Sequence, residues 1–127
     1  MRLINYGKNL KSLFSINALM DGLLDNAREF LNSAKDNFVK KRYNVSASDY
    51  FKSIVIFCDY LIYGEIKRLP KNHNDRFNLL KSYFNKIYEK VSFLFGIYIK
   101  SYNLKTKRED VLKLEKCANE IKEFIGC

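Results

Sequence analysis

The sequence predicts an all-α fold, an up-and-down bundle of four to five helices, and three observations carry that prediction. Apolar residues recur at alternating steps of three and four along most of the chain, the spacing of one face of an α-helix. Gly and Pro number only five and one in 127 residues, too few for the turns of a β-sandwich. The chain is 47% apolar and 29% charged, enough to build a core and to exclude disorder, and its length suits one domain over residues 1–127.

The first long stripe is Met20, Leu23, Ala27, Phe30 and Ala34, thickened by Leu24, Leu31 and Phe38, and it predicts a helix from Met20 to Phe38. A second helix is expected to begin near Ser46, because Ser46-Ala47-Ser48-Asp49 has the form of a capping box. Its stripe is Ala47, Phe51, Ile54, Cys58 and Leu61. Tyr50, Val55, Phe57 and Ile62 make it apolar on further sides, which predicts a central place in the bundle or at an interface. It ends near Lys67, and Leu69-Pro70-Lys71-Asn72-His73-Asn74 reads as a loop, since Pro70 disfavours helical geometry at Leu69. A third helix follows through Phe77, Leu80, Phe84, Ile87 and Val91, with Asn74 or Asp75 as its expected cap. The apolar run from Phe93 to Tyr102 is assigned to helix, because an isolated strand there has no partner. A last helix spans about Arg108 to Ile125 on Val111, Leu114, Ala118, Ile121 and Ile125.

Composition also limits the chemistry. A single histidine, His73, cannot build a multi-histidine zinc site or a two-histidine catalytic pair within one chain, and no metal or cofactor is expected. The cysteines Cys58, Cys117 and Cys127 are odd in number and form no CxxC, which suits a reduced, cytoplasmic protein; Cys58, inside Ile54-Val55-Ile56-Phe57, reads as a small buried hydrophobe. The first 20 residues hold Arg2, Lys8 and Lys11 without an acid, but Ser15 and Asn17 interrupt the run Leu13 to Met20, so they read as an ordinary part of the fold and not as a targeting segment. No run approaches the roughly 20 apolar residues of a membrane span, so no membrane contact is expected.

The net charge is +9, and it is local. Between Lys67 and Arg108 there are eleven bases and two acids, Asp75 and Glu89, while the rest of the chain carries twelve of each sign. Basic charge interleaved with Tyr83, Tyr88, Tyr98 and Tyr102 is the footprint expected for a phosphate-rich partner; a solvated lysine face, an acidic protein partner or an anionic membrane surface also fits it.

Within this stretch Arg68-Leu69-Pro70-Lys71-Asn72-His73 sets an arginine and a histidine four residues apart at a helix–loop–helix junction. With the long first helix, Ser48-Asp49-Tyr50-Phe51-Lys52 in the second, and Lys71-Asn72-His73 opening the third, the pattern resembles the HEPN domain, over roughly residues 20 to 125. The resemblance implies an RNA- or nucleotide-binding protein. In many members it further implies metal-independent RNA cleavage of the toxin–antitoxin or phage-defence kind, with Arg68 and His73 as the catalytic pair. In that reading His73 moves the proton from a ribose 2′-hydroxyl and Arg68 holds the phosphate. Lys67, Lys71, Asn72, Arg76 and Tyr102 are candidates for nucleic-acid or phosphate contacts. Asp59, a charge within the second helix, is a second-rank candidate that needs a partner if buried, with Arg68 the expected one. Asp75 is expected to raise the pKa of His73. A single histidine per chain predicts a homodimer for any acid–base pair. The rival reading is a non-enzymatic helical module whose basic surface binds an acidic partner, such as a nucleotidyltransferase-like antitoxin.

Overall fold

A computed structural model of the chain describes the backbone of residues 2–127 and the side chains of residues 16–127. Among the described residues there are five helices and no strand: α1 (Arg2–Val39), α2 (Tyr43–Ile66), α3 (His73–Tyr83), α4 (Asn85–Lys100) and α5 (Arg108–Ile125). The all-α bundle expected from the apolar spacing is therefore what forms.

The helices α1 and α2 make an antiparallel hairpin whose seam is lined by small residues. Ala27, Ala34 and Ala47 are fully buried, and the close approach lets Ser46 Oγ donate to the Ala34 carbonyl at 2.7 Å. The chain turns between the two helices through Lys41, whose φ of 61° is left-handed, and the Arg42 N–H returns to the Asn37 carbonyl at 2.8 Å. The helix α2 starts at Tyr43 and not near Ser46. The Ser46 N–H already bonds the Arg42 carbonyl at 2.9 Å, so it is an interior helical donor with nothing left to cap. The hydroxyl and carboxylate of the apparent capping box serve the hairpin instead: Asp49 accepts from Ser33 Oγ at 2.7 Å and from Asn37 Nδ2 at 3.2 Å.

The helix α2 is central, packing on each of the other four. Its Tyr50, Phe51, Ile54, Phe57, Cys58 and Ile62 form the middle of the core, and burial raises the Cys58 thiol pKa far above its usual value, as suits a small inert hydrophobe. It ends where Lys67 turns left-handed (φ 61°) with its N–H on the Tyr63 carbonyl. The following loop returns along α2, so that α3 begins beside the middle of α2. Asn72 Oδ1 accepts from the Asp75 N–H at 2.8 Å, which makes Asn72 the cap, in place of Asn74 or Asp75, and His73 the first residue of α3.

The expected single third helix is broken at Phe84 (φ −140°, ψ 60°), without a glycine or proline. The bend changes direction while keeping the apolar face inward, with Leu80 on α3 and Val91 and Leu94 on α4 all buried. The helix α4 runs through Gly96 to Lys100, antiparallel to α2, with Phe51 stacked on Tyr98 at 4.6 Å. The helix α5 lies parallel to α2 and seals the core with Val111, Leu114, Ala118 and Ile121; the buried Tyr50 hydroxyl finds Glu115 across this seam at 2.8 Å. No helix among the described residues is long and apolar enough to cross a membrane.

Candidate functional site

The loop after α2 is organised by one carboxylate. Asp75, in the first turn of α3, receives both Arg68 guanidinium nitrogens (2.8 and 3.4 Å) and the Lys71 backbone N–H (2.9 Å). These donors, Arg68 first, hold its carboxyl down to about 2. The Arg68 side chain is exposed, although one terminal nitrogen also donates to the Leu69 carbonyl at 3.3 Å, and Lys71 is exposed beside it. Lys67 returns its Nζ to the Gly64 carbonyl at 2.9 Å, while the Asn72 side-chain oxygen is committed to capping.

His73 belongs to a different set of contacts. Its Nδ1 lies 2.8 Å from an Arg76 terminal nitrogen. A guanidinium can only donate, so Nδ1 must accept, and the neutral ring carries its proton on Nε2. Arg76 is itself fixed on Asp59 by a two-pronged pair, Nε–Oδ1 at 2.6 Å and a terminal nitrogen to Oδ2 at 3.1 Å. The result is a chain Asp59–Arg76–His73 running from α2 to the start of α3. Two expectations change here. The partner of Asp59 is Arg76 and not Arg68, because the loop folds back and brings the first turn of α3, not the loop, onto α2. Arg76, only 9% exposed, is an internal strut and not a surface phosphate contact.

The pKa of His73 is lowered, not raised. Burial of one side of the ring is the main cause and the Arg76 cation the next, against a smaller pull from Asp59. Asp75 has no part in this, being occupied by Arg68. The ring packs on Phe77 and Phe95, with centroids at 6.2 and 5.3 Å, and its outer side borders a dent of about 170 Å³ shared with Phe51, Lys52 and Tyr98. That volume is below the several hundred Å³ of a usual small-molecule pocket, so the site is a surface and not a cavity.

From His73 an aromatic line runs along α4. Phe95 lies 6.1 Å from Tyr98, and Tyr98 lies 5.5 Å from Tyr102, with their hydroxyls hydrogen-bonded at 2.7 Å. That bond is the main cause raising Tyr98 to about 12. Tyr102 is 68% exposed and ends the line at the α4–α5 loop.

The arrangement offers anion-binding donors: Nε2–H of His73, the exposed Arg68 guanidinium and Lys71. A proton-accepting role is disfavoured, since Nε2 already holds the proton and protonation at Nδ1 would set an N–H against an Arg76 N–H. Among the described residues no group of three His, Cys, Asp or Glu side chains could hold a metal ion. The internal chain had one weak sequence signal, since His73 and Arg76 stand three apart on a helix and so share a face. Asp59, 17 residues before Arg76, had none. No protein-family model matches the chain, and neither a curated protein nor a solved structure is significantly similar to it.

Proposed function

We propose that this protein is a HEPN-like helical domain that binds single-stranded RNA through the α2–α3 loop, holding the phosphate backbone without cleaving it. The observation that carries the reading is the hydrogen bond from Arg76 to Nδ1 of His73. It turns the one histidine of the chain into a neutral donor whose Nε2–H points away from the strut, a group suited to a phosphate oxygen and unsuited to removing a proton from a 2′-hydroxyl. Arg68, Lys67 and Lys71 supply the charge around it, and Tyr98 and Tyr102 supply ring faces on which bases can stack.

The test is paired binding and cleavage on a mixed-sequence RNA without metal, for wild type, Arg68→Ala and His73→Ala. Fluorescence anisotropy should show both variants binding several-fold more weakly, and gels should show no cleavage that depends on His73. Cleavage by wild type that disappears in His73→Ala would replace the binding reading with a nuclease. Unchanged affinity in both variants would remove RNA from this loop.

A further inference from the structure

A second basic surface is assembled from parts that lie about sixty residues apart in sequence. The α1–α2 turn carries Lys40, Lys41 and Arg42, and the α4–α5 loop carries Lys105, Lys107 and, at the start of α5, Arg108. Asn44, in the first turn of α2, clamps the two together. Its Nδ2 donates to the carbonyls of Ser101 (2.8 Å) and Leu104 (2.7 Å), and its Oδ1 accepts from the Thr106 N–H at 2.8 Å. Arg108 lies over the Phe38 ring at 5.3 Å, which adds a tie from α5 to the end of α1.

Between the two loops lies a groove of about 470 Å³, lined by Lys41, Arg42 and Lys105 together with Tyr43, Asn44, Val45 and Thr106, with no acid in its lining. A second groove of about 380 Å³ lies on the other side of Lys105, with an apolar floor of Phe93, Ile97 and Leu104, Lys100, Lys107 and Lys113 around it and Asp110 as its only acid. Asp110 is paired with Lys113 at 3.7 Å. The other acids at this end, Asp36 and Glu109, form no ion pair among the described residues. Neither do Lys41, Arg42, Lys100, Lys105 or Lys107.

We infer that Lys41, Arg42, Lys105 and Lys107 form a second phosphate-binding surface, which takes the backbone of the same RNA strand held at the α2–α3 loop. The inference rests on the RNA reading above. A phosphate backbone is chosen as the occupant because no acid lines the first groove and Lys41, Arg42, Lys100, Lys105 and Lys107 carry no ion pair among the described residues; the apolar residues that also line the grooves make an acidic peptide the competing outcome of the test. The aromatic line from His73 through the part-buried Phe95 and Tyr98 ends at the exposed Tyr102, beside the α4–α5 loop, so a strand leaving the first site meets a stacking face next to the second.

The experiment measures binding of labelled oligouridine, about 12 nucleotides long and so within the range one domain engages, by anisotropy over a salt series. The proteins are wild type, Lys41→Ala/Arg42→Ala, Lys105→Ala/Lys107→Ala and Arg68→Ala. A polyglutamate peptide serves as the competing probe. Each double variant should weaken binding about tenfold and lower the slope of log affinity against log salt by about 1.4, at about 0.7 per phosphate contact on a single strand. Wild-type affinity and slope in both double variants, with Arg68→Ala still impaired, would overturn the second surface and leave the first intact. Polyglutamate binding more tightly than RNA, and sensitive to these substitutions, would overturn the choice of ligand. Absence of RNA binding by wild type would overturn the underlying reading, a result distinct from either.

Discussion

Replacing Arg76 by methionine should be among the most damaging single changes to this fold outside its apolar core. The Arg76 and Asp59 side chains are 11% and 15% exposed, and their pair is bidentate. The substitution keeps most of the aliphatic volume but leaves the Asp59 carboxylate between helices without its partner. Breaking a buried pair from one side typically costs about 3–5 kcal/mol, and the remaining exposure of both groups puts this case at the lower edge, about 3 kcal/mol. For a domain of this size that corresponds to a fall in Tm of about 10 °C. Asp59→Leu should lose a similar amount by stranding the guanidinium. The double variant Asp59→Leu/Arg76→Met removes both charges and should recover most of the loss, giving a coupling of about 2 kcal/mol or more.

Urea denaturation followed by far-UV circular dichroism measures all four corners of this cycle. A second readout separates the strut from mere packing: in Arg76→Met the His73 pKa, followed by NMR titration, should rise, because the cation that lowers it is gone while Asp59 remains. A loss under about 1 kcal/mol in Arg76→Met together with an unmoved His73 titration would refute the Asp59–Arg76–His73 chain.

Three further outcomes are expected. Because the pKa of His73 is lower in the folded chain than its usual value of about 6.5, the unfolded chain binds the proton more readily, and stability should fall as pH drops through that region; the difference in urea midpoint between pH 7.5 and 5.5 (about one unit either side) should shrink in His73→Gln, and an equal difference in both proteins would exclude His73 as its source. Asn44→Ala removes three hydrogen bonds to the α4–α5 loop and should cost about 2–3 kcal/mol at about 1 kcal/mol each, with faster amide exchange at Thr106; an unchanged exchange rate would mean the loop holds itself. Asp75→Asn removes the negative charge beside Arg68 and should tighten RNA binding several-fold in anisotropy; weaker binding would show that Arg68 acts only when Asp75 positions it.

Periodicity was a reliable guide to the helices because the same stripes that suggest them also bury them. Ala27, Leu31, Ala34, Ile54, Leu114 and Ile121 are in the core as their spacing requires. The boundaries were less legible for identifiable reasons. Ser46 and Asp49 have the residue types of a cap, but the same hydroxyl and carboxylate serve equally well between two helices, and only the close α1–α2 seam decides which. The break at Phe84 leaves no mark because the stripe stays in phase across it: the Tyr88 N–H still bonds the Phe84 carbonyl, and Leu80 and Val91 face the same core. Pattern records which face is buried, and a bend that preserves the face is silent in it.

Charge behaves differently, since its neighbours are chosen by the fold and not by the chain. Of the eleven bases between Lys67 and Arg108, Arg76 and Lys90 are paired with Asp59 and Glu120, acids that lie outside that stretch, and Arg68 is paired with Asp75 inside it. The linear excess thus overstates the field around His73. It understates the field at the other end of α4, where Lys41 and Arg42, from a part of the sequence that nets to zero, border one groove with Lys105. Since a phosphate backbone responds to local unpaired cations, and each one it neutralises adds to the salt dependence, the α1–α2 turn should contribute to RNA affinity as strongly as the stretch that carries the whole net charge. Lys41→Ala/Arg42→Ala and Lys105→Ala/Lys107→Ala are therefore expected to weaken binding by similar factors, and a turn variant that binds as wild type does while the loop variant is impaired would remove the α1–α2 turn from the recognition surface.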